Sequence, residues 1–226
     1  MDDHSIKLDT PKVERPHKPP KDNVDVQALA VQVMADKLRK YDADGDATLT
    51  LLKDRQERVR FAHDFLRDLN KAAQGQGEIK NADTNPELKK YLQKAKDFAE
   101  EAQSCETEAE KMKQLAETDA GNAEKHLKDA KNLSQKAVEL KDLTKAINNL
   151  TDAKGNMKKH LSKEERDRIE RTFNSIVDDF NTLNQMDFQQ ANQLNQDRQS
   201  IQLMTRMIVK QADDLMKVIN RGIRGQ

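Results

Sequence analysis

Three aspartates alternate in Tyr41-Asp-Ala-Asp-Gly-Asp-Ala-Thr-Leu-Thr-Leu-Leu-Lys53, and alternating carboxylates around a glycine are the chemistry of a calcium loop. An EF-hand-type loop takes ligands from positions 1, 3, 5, 7 and 9, a glycine at 6 and a bidentate Glu at 12. Counted from Asp42, the carboxylates of Asp42, Asp44 and Asp46 fill positions 1, 3 and 5, and Leu49 is the hydrophobe at 8. Position 6 is Ala47, Gly45 stands two places early, and position 12 is Lys53, whose ammonium repels a cation where the strongest ligand belongs. The stretch is a weak calcium candidate. It reads first as an acidic turn whose side chains cap backbone groups.

Other chemistry is sparse. No two of the five histidines stand four apart, so none forms a metal pair on one helix face. His126 reads as a polar interruption of an apolar seam, and neither His63 nor His160 has a partner indicated by spacing. Cys105 is the single cysteine, which rules out an intramolecular disulfide or a thiolate cluster. It lies on an apolar stripe and reads as a buried, inert thiol. The seven glycines form no phosphate-cradling loop. The expectation is a protein that is not an enzyme and carries no cofactor.

Composition points to long helices. Charged residues make up 35% of the 226 and aromatic ones 4%, with no Trp and few Gly or Pro, the profile of a chain that buries a narrow seam. Forty basic and forty acidic side chains are interspersed, so no clustered phosphate-binding surface for nucleic acid is expected. Neutrality also lowers self-repulsion on association. No run of about 18 apolar residues offers a transmembrane segment. Residues 1–23 lack the basic-then-apolar pattern of a secretory signal. They hold Pro11, Pro16, Pro19 and Pro20 among polar residues and are expected to be disordered.

The elements follow from periodicity. Val26, Leu29, Ala30, Val33, Met34, Leu38 and Tyr41 recur at helical spacing. A second helix, capped by Thr48 or Thr50, would place Leu52, Val59, Ala62, Leu66 and Leu69 at heptad positions, with the DADGD turn closing a hairpin over residues 24–72. Residues 73–85 read as a linker. Asn85-Pro86 then supplies an N-cap and a first-turn proline. Over 86–226 the expectation is a long coiled-coil domain. Its seam runs Leu88, Tyr91, Ala95, Phe98, Ala102, Cys105, Ala109 and Met112, and continues through Ala130, Leu133, Ala137, Leu140 and Ile147. Two readings fit this stretch: one helix of about 60 residues, near 90 Å long, or a hairpin broken at Gly121. Ser162 and Glu165 form a capping box for the last helix, whose seam is Ile169, Phe173, Ile176, Phe180 and Leu183. The fold class is all-α, an N-terminal helical hairpin packed on a long antiparallel coiled coil.

That last helix ends in its most apolar and Met-rich stretch. Leu194, Ile201, Met204, Met207, Ile208, Leu215, Met216 and Ile219 make a broad face suited either to the core or to a partner. The segment Asp187-Phe-Gln-Gln-Ala-Asn-Gln-Leu-Asn-Gln-Asp-Arg-Gln-Ser-Ile-Gln-Leu-Met-Thr-Arg-Met-Ile208, closing on Lys217-Val-Ile-Asn-Arg-Gly-Ile-Arg224, resembles the needle-tip and filament proteins of type III secretion, the hydrophilic translocator group. The order of parts is similar too: polar N-terminus, helical hairpin, long central helix, loop and long C-terminal helix. The mixed α/β insert of larger tip proteins has no room in residues 148–161. The resemblance implies a secreted structural protein, reaching the medium or the bacterial surface by a type III route. It implies partners in further copies of itself, in needle or translocator proteins, and in a secretion chaperone. The alternative is a cytoplasmic coiled-coil scaffold or chaperone.

Overall fold

The computed structural model describes residues 22–73, 75 and 77–224. The disorder expected of residues 1–23 falls, up to residue 21, outside the described residues, and at Asp22 and Asn23 it is corrected, since the first helix already begins at Asp22. The fold is all-α. Among the described residues it has four α-helices, α1 (Asp22–Ala73), α2 (Pro86–Thr118), α3 (Ala123–Asn148) and α4 (Lys163–Arg224). Two short strands, β1 (Ile79–Lys80) and β2 (His160–Leu161), pair antiparallel with Ile79 opposite Leu161.

The chain divides into two units, each with its own contacts. A terminal unit comprises Met1–Asp42 and Gln196–Gln226, and a central unit comprises Ala43–Asn195. The core of the central unit gathers Phe65, Leu69, Leu88, Leu140, Ile147, Leu150, Leu161, Ile169 and Phe173, all nearly or fully buried. Phe65 stacks on Phe173 at 4.1 Å and meets Tyr91 edge-on at 4.9 Å. These aromatic pairs tie α1, α2 and α4 together.

The N-terminal hairpin is corrected by a single helix. DADGD lies inside α1 and no turn interrupts it. One glycine and three aspartates in a helix interior cost about 2–3 kcal/mol by propensity. Contacts from distant segments offset that: Asp42 pairs with Arg198 at 2.7 Å in the terminal unit, and Asp44 with Lys128 at 2.7 Å in the central unit. Thr48 and Thr50 do not cap a second helix either. Each hydroxyl donates back to the carbonyl four residues earlier, of Asp44 and Asp46, at 2.9 Å. That bond satisfies a threonine within a continuous helix. Gly45 has open space where a Cβ would stand and no left-handed φ. Gly45→Ala is therefore expected to raise stability by about 0.5–1 kcal/mol. A loss on chemical denaturation would restore the turn.

Between α2 and α3 the structure takes the broken reading. Asn122 donates its amide to Asp119 at 2.8 Å across the connection at Gly121, and α2 and α3 form an antiparallel hairpin. Ala95, Ala102, Ala109, Ala130 and Ala137 are buried along it. Small side chains at these positions let two helices approach closely. Both anticipated caps are present. Asn85 accepts from Glu87 N at 2.9 Å and Leu88 N at 3.2 Å. Ser162 and Glu165 exchange reciprocal bonds of 3.0 and 3.2 Å. The stretch read as a linker is anchored by Ile79 and Ala82, both buried beside β2.

Candidate functional site

The predicted seam lies in the central unit. Leu88, Tyr91, Phe98, Cys105, Leu140 and Ile147 are buried, while Met112 and Leu133 are half-buried. Burial pushes the Cys105 thiol up, which disfavours its reactive thiolate. Tyr91 donates its hydroxyl to Asp68 at 2.7 Å, and Lys90 stands 3.3 Å from the same carboxylate. Burial alone would raise the Asp68 carboxyl, but the Tyr91 bond, Lys90 and Arg67 outweigh it and hold the group below the usual carboxylate range. A depressed folded pKa adds stability at and above the ordinary carboxylate range, and that stability is lost as pH falls through the depressed value. Tyr91→Phe removes a bond to a charged group and is expected to cost about 1.5–3 kcal/mol at neutral pH. The titration of Asp68, followed by carboxyl NMR, should move upwards in that variant; an unmoved midpoint counts against the bond.

A buried charged network joins α1, α3 and α4, and periodicity alone did not reveal it. Arg55 is 1% exposed and donates Nε to Glu139 at 2.9 Å. Its other arm reaches Asp187 at 2.5 Å and Asn184 at 3.3 Å. Arg58 meets the second Glu139 oxygen at 2.6 Å. The available signal was a gap: stepping three and four residues from Leu52 to Val59 lands on Arg55. A charge at a seam position reads as an interruption, yet it can fix register when its partners face it.

The aspartates of DADGD do not converge. Helical geometry turns each about 200° from the next, two residues on. Asp42 and Asp44 are engaged by Arg198 and Lys128, and Asp46 is exposed. Among the described residues no group of three His, Cys, Asp or Glu is placed to hold a metal ion. No described helix is long and apolar enough to cross a membrane.

The C-terminal face separates into two sets. In the terminal unit Ile201, Thr205, Ile208 and Ala212 are half-buried along one stripe of α4, and Thr205 touches the Met34 sulfur of α1 at 3.3 Å. Together with Asp42–Arg198 this contact sets the two helices antiparallel. Met204, Met207, Leu215 and Met216 are each more than half exposed, and Ile219 is 44% exposed. Leu194, in the central unit, is half-buried. Sequence reading overlooked Leu203 and Val218, which are exposed as well, and it placed Leu29 and Val33 of α1 on a packing face where the structure leaves them open. Helical phase puts Leu29 and Val33 on the same side of the antiparallel pair as Met204, Met207 and Val218. The terminal unit thus turns a composite apolar surface outwards, supplied by both helices. No family model matches the chain, and neither do the curated proteins or the solved structures with which it was compared.

Proposed function

We propose that the protein is a self-assembling structural subunit of a type III secretion apparatus, at the needle tip or in an extracellular filament, and performs no catalysis. One observation carries the assembly part: the outward apolar surface of the terminal unit, rich in Met and built on two helices. Contiguous exposed apolar surface marks a site of contact with another macromolecule. Methionine adapts to more than one partner, which suits a face covered by a chaperone before assembly and by a neighbouring subunit after it. The neutral charge balance imposes little repulsion between copies.

The secretion part rests on the resemblance of residues 187–224 to hydrophilic translocator proteins and on the helical layout. It is tested by expressing the chain in a bacterium with a working type III apparatus. Residues 1–23 fused to a reporter should carry it out of the cell, and a chain lacking residues 201–226 should be exported without assembling. A reporter that stays inside, with assembly intact, would make the protein a cytoplasmic scaffold instead.

A further inference from the structure

The assembly reading leaves open what receives the exposed helix face, and the central unit holds a groove that fits it. The groove lies between α3 and α4, has a volume of about 340 Å³, and is lined by Ile176, Phe180 and Leu183 with Val138 beside them. Val138 is 57% exposed, so apolar surface there is open to solvent. Asp142 on α3 and Asp179 on α4 also line it. Glu139 spends its charge on Arg55 and Arg58, whereas neither Asp142 nor Asp179 has an ion pair among those of the described residues. Burial, with the like charges of Asp179 and Glu139, outweighs Lys145 and raises the Asp142 carboxyl above the usual range. An incoming cation would relieve that.

The end of α4 offers such a cation with apolar neighbours. Arg206, Lys210, Lys217 and Arg221 follow at spacings of four, seven and four, which stacks them on one face. That face is about 160° round the helix from the Ile201–Ile208 stripe that packs on α1. Lys217 is paired with Asp213 at 2.6 Å, while Arg206, Lys210 and Arg221 make no ion pair among those of the described residues. Leu203, Met207 and Val218 flank this basic stripe and are 59%, 62% and 65% exposed.

We propose that the outer face of α4 in one copy docks into the α3–α4 groove of a second copy. Leu203 and Met207 cover exposed Val138 and half-buried Leu183, and Arg206 and Lys210 meet Asp142 and Asp179. The donor and acceptor patches differ, so the contact is heterologous, and copies add head to tail without the closure that a two-fold interface enforces. This inference rests on the self-assembly reading.

Reciprocal charge swaps in the full chain test it. Asp142→Lys with Asp179→Lys reverses the groove, and Arg206→Glu with Lys210→Glu and Arg221→Glu reverses the stripe; all five positions are exposed, so the helical fold should survive by circular dichroism. In sedimentation velocity each variant alone should associate at least about tenfold more weakly than wild type, equivalent to about 1.4 kcal/mol. An equal mixture should regain assembly, because each reversed patch then finds its opposite on the other variant. Wild-type assembly by either variant alone, or a mixture no better than its parts, overturns the inference. Loss of assembly on Met204→Glu alone, with the charge swaps silent, would assign the contact to paired apolar surfaces instead. A wild-type chain that never associates overturns the self-assembly reading itself.

Discussion

Glu139→Ala is expected to lower the free energy of unfolding by about 3–5 kcal/mol, a loss as large as that of truncating a core side chain. Glu139 is 3% exposed and accepts from both Arg55 and Arg58. Without it Arg58 loses its ion-pair partner, and its Nε already lacks an acceptor. Arg55 retains Asp187 and Asn184, which places the expected loss towards the lower end of that range. Replacing Arg55, Arg58 and Glu139 together by apolar residues of similar volume should cost far less than the single change, because the desolvation of three charges disappears and the Asp187 carboxylate, 20% exposed, can turn to water. The pair of results separates two roles. A large single loss beside a benign triple replacement identifies a device that fixes register, since a slip of one seam step would set Arg55 against the positions of Leu52 or Val59. Equilibrium denaturation in urea reads both. A Glu139→Ala loss below about 1 kcal/mol would mean that water reaches the guanidinium groups.

Removing residues 201–226 is expected to abolish self-association while the central unit stays folded. The deleted stretch holds Met204, Met207, Leu215, Met216, Val218 and Ile219, all exposed in the single chain. Fully burying a side chain of this class yields about 1.5–3 kcal/mol. Several together are needed to exceed the cost of about 4–15 kcal/mol for bringing two copies together. No buried residue of the central core lies in that stretch, so its cooperative unfolding should change little. Met34 of α1 loses its contact with Thr205, and helicity should fall by more than the deleted residues alone account for. Met207→Glu with Val218→Glu is the milder test. It keeps the α1–α4 contact and buries two charges in any assembled state, which should weaken association by about two powers of ten or more.

How legible each feature was in the sequence depends on how local its cause is. The Ser162–Glu165 box and the Asn85-Pro86 start involve partners within three residues, and both stand as read. The seam from Leu88 to Cys105 repeats without interruption, so its burial follows from periodicity. DADGD was misleading because its propensity is that of a turn, while Arg198 and Lys128, far away in the chain, supply what keeps it helical. Gly121 left two readings open, and the Asn122–Asp119 bond belongs to the hairpin. The Arg55–Glu139 pair was hard to read for a different reason. Each reads alone as a solvated charge, and only three helices brought together make them a buried pair. The open apolar face was seen as a stripe, but its division into a side that packs on α1 and a side that faces out is a tertiary fact.

On the proposed reading, the exposed face of the terminal unit joins copies of this chain. Sedimentation equilibrium of the 226-residue chain over a wide concentration range reads that association without a label or a partner. The mass should climb above the 25.9 kDa of one chain as concentration rises, and a chain lacking residues 201–226 should keep its single-copy mass throughout. A 226-residue chain that holds at 25.9 kDa over the whole range, or a truncated chain that associates as well as the intact one, would contradict the proposed reading.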